Sequence, residues 1–118
     1  MNKKILVVDD EPDVITYLQT MLNEAGFEVI TAANGMEGIE LAKKEKPDLV
    51  VLDLLMPKNT GVDFYRKMRK DKEIANTPVI VVSALAGRNL AVSQAVAVFD
   101  KPVGPDELVT AINRVISD

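Results

Sequence analysis

The 118-residue chain contains no cysteine and no histidine. Without cysteine it has no disulfide, no thiolate nucleophile and no thiolate metal site. Without histidine, imidazole acid–base catalysis, imidazole metal ligands and a phosphohistidine on this chain are excluded. A basic surplus is also missing: 14 Lys and Arg stand against 18 Asp and Glu, for a formal charge of −4. Such a surface is poorly suited to holding a nucleic-acid backbone through counterion release, so no direct nucleic-acid contact is expected. No apolar stretch approaches the ~20 residues that span a bilayer, so no membrane association is expected. The opening Met-Asn-Lys-Lys leads into a short apolar run and then acids, unlike a signal peptide, and the expected location is the cytoplasm.

What is present suffices for one ordinary domain, expected to span residues 1–118. Apolar runs and helical patterns alternate along it. Ile5–Val8, Glu28–Thr31, Leu49–Leu52, Val79–Val82 and Val96–Phe99 read as strands. Three are continuous Ile/Val/Leu runs, which implies burial on both faces of a parallel sheet. Pro12 suits a first helical turn, with Val14, Ile15, Leu18, Met21 and Leu22 following at helical spacing up to Gly26. Asn34 is placed to cap a helix over Gly35–Lys46, and Thr60 one with Val62, Phe64, Tyr65 and Met68 inward. Pro105 opens the last helix, with Leu108, Ile112, Val115 and Ile116 inward. The segment from Leu85 to Ala95 reads as a short or frayed helix. The basic stretch Arg66–Lys70 reads as a solvated helix face. This order predicts an α/β fold, a five-stranded parallel sheet with helices on both faces.

In an open parallel sheet, ligands bind beyond the C-terminal strand ends. The apolar runs carry Asp9, Asp10, Asp53, Ser83 and Lys101 to that edge. Asp9-Asp10-Glu11 before Pro12 is also what a plain helix start looks like, and Asp53 alone is an ordinary turn residue. Jointly they form a chemistry set. If the first and third strands are neighbours, Asp10 and Asp53 face each other, and two carboxylates at ~4 Å repel by about 1 kcal/mol in water and about 4 at an effective dielectric near 20. A divalent cation or Lys101 removes that penalty. All-oxygen ligands indicate a hard ion, Mg²⁺ with several waters retained. A carboxylate is also a nucleophile toward a phosphoryl group, and such transfer asks the protein mainly for positioning and charge neutralisation.

With Val-Val-Asp-Asp-Glu-Pro at 7–12, Val-Leu-Asp-Leu-Leu-Met-Pro at 51–57 followed by Gly61, Val-Val-Ser-Ala at 81–84 and Lys101-Pro102, the chain resembles the receiver domain of two-component response regulators over essentially its whole length. The resemblance implies the flavodoxin-like, doubly wound strand order 2-1-3-4-5. It implies Asp53 as phosphoacceptor, Asp9 and Asp10 as the acid pair that organises Mg²⁺, and the backbone carbonyl of Leu55 as a further ligand beside Asp10 and Asp53. Ser83 would move to the phosphoryl group and Lys101 would pair with it. The donor would be a phosphohistidine on a sensor histidine kinase or phosphotransfer protein, and the signal would pass to a downstream protein or output domain. Catalysis would be limited to the chain's own phosphorylation and slow dephosphorylation.

The chain also departs from that family. The aromatic usual three residues before the lysine is replaced by Val98, and Phe99 follows one position later. A one-residue slip reverses the face on which a strand residue lies. The interval from Ser83 to Lys101 is shorter than usual by about one helical turn. An altered output surface is therefore expected. Leu55 and Leu85 offer no hydrogen bond to an attacking water, which predicts slow self-dephosphorylation. A cis Lys101-Pro102 bond is expected. The alternative function is a receiver-like binding module that no longer signals through phosphate. A phosphatase using an aspartate nucleophile ranks last, because the second acid it would want is Leu55.

Overall fold

The computed structural model describes residues 3–53, 60–83, 97–100 and 103–116. The elements run β1 (Lys4–Val8), α1 (Pro12–Glu24), β2 (Glu28–Ala32), α2 (Gly35–Glu45), β3 (Leu49–Leu52), α3 (Thr60–Lys70), β4 (Val79–Ser83), β5 (Ala97–Asp100) and α4 (Pro105–Ile116). The strands lie in the order β2-β1-β3-β4-β5, and every neighbouring pair is parallel. The α/β class, the parallel sheet and the helices on both faces agree with the sequence pattern. The 85–95 segment, Leu55 and the Lys101-Pro102 bond lie outside the described residues.

The continuous apolar runs divide their side chains between two layers, as the period of two in a strand requires. Leu6, Val8, Val50, Leu52, Val79 and Val81 pack with Ala42 of α2 and with Phe64, Tyr65 and Met68 of α3. Ile5, Val7, Leu49, Val51, Ile80 and Val82 pack with Leu18, Met21 and Leu22 of α1 and with Leu108 and Ile112 of α4. The central strands β1, β3 and β4 are apolar on both sides for this reason. β2 lies at the sheet edge and is buried fully only at Ala32, its last residue. Phe99 pairs in register with Val82 and packs in the α1/α4 layer, whereas Val98 pairs with Val81, a residue of the α2/α3 layer.

Local chemistry sets the helix ends. Asn34 caps α2 by accepting the Glu37 backbone N–H (2.9 Å), and Glu37 reaches back to the Ala33 N–H (2.8 Å). This reciprocal pair satisfies one donor that the first turn leaves open, at Glu37, and the Ala33 donor just before the cap. The α2 helix ends at Glu45, one residue short of expectation, because Lys46 takes a left-handed φ of 48° and its N–H closes on Ala42 O. Gly26, at φ 98°, reverses the chain after α1, and Phe27 N–H then returns to Leu22 O. Thr60 is the first helical residue of α3 rather than a residue preceding it. The fifth strand runs from Ala97 to Asp100, one position later than its apolar run suggested.

The α2 helix presents its smallest residues, Gly35, Gly38 and Ala42, to the core. A Cβ added at Gly38 would lie 3.0–3.1 Å from Phe64 and Val8, so glycine permits the close approach of α2 to α3 and the sheet. Arg69 corrects the reading of Arg66–Lys70 as a wholly solvated face. Its guanidinium lies 4.9 Å from the Tyr65 ring centre and donates to Ala75 O (2.7 Å) and Thr77 O (2.9 Å). It thereby fastens the turn between α3 and β4. Across the other layer, the Tyr17 hydroxyl donates to Val103 O at 3.3 Å, tying α1 to the entrance of α4.

Candidate functional site

The C-terminal ends of β1 and β3 are adjacent, with Val8 in register with Leu52. The next residues continue the ladder beyond both strands. Asp9 N–H donates to Ala32 O at 3.1 Å, and Asp53 N–H donates to Val8 O at 3.0 Å. Each aspartate therefore leaves the sheet at a fixed place, and each is 2% exposed. Asp10 is half-buried and Glu11 is exposed. One carboxylate oxygen from each of Asp9, Asp10, Glu11 and Asp53 lies within 4.8 Å of the others.

The turn from β1 into α1 produces this convergence. Asp9 Oδ1 accepts the Glu11 backbone N–H at 2.9 Å, and Glu11 O accepts Ile15 N–H at 3.0 Å. Glu11 occupies the cap position with extended backbone, yet its side chain makes no capping hydrogen bond to α1, and Pro12 begins the helix. Helix capping alone therefore does not account for the acidic run. The positive end of the α1 dipole also faces the acids, which favours negative charge there.

Of the residues expected at the site, Asp9, Asp10 and Asp53 are brought together. Ser83 ends β4 beside β3 and pairs with Asp100 of β5, which sets its backbone at the same sheet edge. Its side chain, Leu55 and Lys101 fall outside the described features, as does Leu85. Glu11 joins the cluster although the sequence reading treated it only as part of a helix start. The available signal was its place directly after the acid pair and before a helix-opening proline.

Carboxylates no more than 4.8 Å apart repel by at least about 0.9 kcal/mol per pair in water and about 3.5 at an effective dielectric near 20. An all-oxygen donor set held this close fits a hard divalent cation, which offsets that repulsion.

A family model for the response regulator receiver domain matches residues 5–113. The chain belongs to that family. The receiver is 35% identical over 117 residues to the protein Rrf1 of Nitratidesulfovibrio vulgaris, covering 99% of this chain and 85% of that one. It is 36% identical to the protein PilH of Pseudomonas aeruginosa, covering 97% and 98% of the two chains. It is 45% identical over 84 residues to the alkaline phosphatase synthesis transcriptional regulatory protein PhoP of Bacillus subtilis, covering 71% of this chain but only 34% of that longer one. Among solved structures it resembles the chemotaxis protein CheY4 of Vibrio cholerae, with a TM-score of 0.91, 28% identity and coverage of 98% and 100%. It also resembles the receiver domain of a sensor histidine kinase from Pseudomonas aeruginosa PAO1, solved with a magnesium ion in its active-site cleft. There the TM-score is 0.90 at 25% identity, with full coverage of both chains.

Membership fixes the general activity. The receiver accepts a phosphoryl group at its acidic cluster and catalyses only its own phosphorylation and dephosphorylation. No helix among the described residues is long and apolar enough to cross a membrane.

Proposed function

We propose that Asp53 is the phosphoacceptor and that residues 1–118 form one receiver unit with the complete flavodoxin-like, doubly wound order as its working frame. One observation carries the assignment. Asp53 stands one residue beyond the central strand β3, is 2% exposed, and is pinned by its N–H to Val8 O inside the carboxylate cluster. A nucleophile at a fixed position loses little entropy on reaching the in-line geometry of phosphoryl transfer. An Asp53 oxygen bonds to phosphorus as the phosphorus–nitrogen bond of a phosphohistidine breaks; the electron pair stays on that nitrogen, and the imidazole, carrying a proton on its other nitrogen, leaves as a neutral histidine of the donor. That donor is a sensor histidine kinase or a phosphotransfer protein, since this chain has no histidine of its own.

Asp9, Asp10 and Asp53, with the Leu55 carbonyl, would hold Mg²⁺, which supplies neutralisation of charge on the transferred group when bound. Ser83 and Lys101 would contact the phosphoryl oxygens and bias two pre-existing conformations toward the signalling one. The partner receiving that signal is a protein or an output domain, and the setting is the cytoplasm.

Labelling with a small phosphodonor or with beryllium fluoride in Mg²⁺ tests the reading. One equivalent is expected on the natural chain and none on Asp53→Asn. Equal labelling of Asp53→Asn, or labelling indifferent to Mg²⁺, would overturn it.

A further inference from the structure

We propose that the Tyr65 hydroxyl is a built-in bias against the uncharged packing of the receiver: it is stored without a partner in the α2/α3 layer and turns out to water when the acceptor is charged. This rests on the reading of Asp53 as phosphoacceptor and of two conformations as the signalling device. Tyr65 is 5% exposed, and its hydroxyl oxygen is buried with no hydrogen-bond partner among the described residues. Its neighbours in the layer are hydrocarbon side chains and the Met68 thioether. The adjacent guanidinium does not supply the bond. Arg69 lies over the ring, commits one terminal nitrogen to Ala75 O and Thr77 O, and has an Nε that is itself buried without a partner among the described residues.

Nothing in the packing demands that oxygen. Phenylalanine has the same ring and would fill the place, as Phe64 does one position earlier. A buried hydroxyl that lacks a partner disfavours its own state by at least about fivefold relative to one in which it is paired. The penalty falls on the arrangement in which Asp53 is a plain carboxylate within its cluster. Position ties the hydroxyl to the site. Tyr65 shares its packing cluster with Leu52, the residue before Asp53, and with Val81, two residues before Ser83. Its ring also lies 4.9 Å from the Arg69 guanidinium, which is fastened to the turn leading into β4. A shift of α3 against the ends of β3 and β4 therefore repacks this ring, and a shift that opens the layer lets the oxygen reach water.

Tyr65→Phe keeps the ring and removes the oxygen, so it should do two opposite things. In EDTA the uncharged variant should melt higher than the natural chain. Calorimetric titration with beryllium fluoride in Mg²⁺ should show binding weaker by about fivefold or more, because stabilising the uncharged state lowers the competent fraction. A side chain that merely supports the fold would not produce that pair of signs. The chain has two tyrosines and no tryptophan, so in a Tyr17→Phe background the emission reports Tyr65 alone. Acrylamide should quench it more strongly once beryllium fluoride is bound. A Tyr65→Phe melting temperature at or below that of the natural chain would mean that the hydroxyl is already paired, as by an enclosed water, and overturns the bias. Beryllium fluoride affinity within twofold of the natural chain, or quenching unchanged on binding, overturns the link to charging. Failure of the natural chain itself to bind beryllium fluoride instead overturns the phosphoacceptor reading.

Discussion

Replacing Asp10 by asparagine should make the cation-free protein more stable, although it damages the site. The substitution keeps the side-chain shape and removes one charge from a cluster of four carboxylates within 4.8 Å. Asp10 is half-buried, so the water-like figure applies, about 0.9 kcal/mol for each of its three carboxylate neighbours. Screening at physiological ionic strength roughly halves the sum, leaving about 1.5 kcal/mol. In a domain of this size that raises the melting temperature by roughly 5–8 °C. The assay is thermal or urea unfolding in EDTA, repeated with Mg²⁺. At a hundredfold excess over its dissociation constant, a cation stabilises the natural chain by about 2.7 kcal/mol. Asp10→Asn should lose most of that increment, so the two proteins should exchange rank when Mg²⁺ is added. High salt should shrink the gap in EDTA. Destabilisation of Asp10→Asn in EDTA, or equal stabilisation of both proteins by Mg²⁺, would refute the electrostatic argument.

Gly38→Ala should destabilise by about 1–2 kcal/mol in urea unfolding, since its Cβ would meet Phe64 and Val8 at 3.0–3.1 Å, although alanine ordinarily favours a helix interior. A gain in stability would show that α2 can retreat from the sheet. Arg69→Ala should cost about 2 kcal/mol by the same measurement, because it removes a charged donor from Ala75 O and Thr77 O and uncovers the Tyr65 ring. A change under about 0.5 kcal/mol would mean that the turn holds without it. The Lys4 ammonium, hydrogen-bonded to Glu45, keeps that carboxyl below its usual range, and the Glu73 backbone N–H, aided by Lys43, does the same for Asp71. A depressed folded pKa contributes stability that is present above the unfolded values, 4.5 and 3.8, and is lost as pH falls through the folded ones. Asp71→Asn should therefore flatten the acid limb of a stability–pH curve, and an unchanged limb would count against the assignment.

The three central strands were legible because burial on both faces demands uninterrupted apolar runs, and Ile5–Val8, Leu49–Leu52 and Val79–Val82 have no other comfortable environment. Asp9, Asp10 and Asp53 were legible as a group because each follows such a run, so parallel strands bring Asp9 and Asp53 to one edge and the turn into α1 adds Asp10. Arg69 was not, since a charge run has the same composition whether one member folds onto backbone carbonyls or all face water. Glu11 was obscured by its ordinary place at a helix start, and its membership depends on a turn closed by Asp9. Gly38 carried a faint signal: with Gly35 and Ala42 it forms a small-residue face, which indicates close packing only once a partner such as Phe64 is known. The end of α2 was misplaced by one residue because Lys46 adopts a left-handed conformation that its side chain does not advertise.

The ladder bonds at Asp9 and Asp53 bear on how fast different parts of this molecule can move. A backbone amide bonded into the centre of a sheet exchanges its hydrogen only when a large cooperative unit opens. The Asp53 amide, held by Val8 O, and the Asp9 amide, held by Ala32 O, should therefore be among the slowest to exchange, despite lying at a reactive edge. The backbone beneath these two carboxylates is thus tied to the sheet, so whatever happens at their side chains is carried by groups other than their own amides.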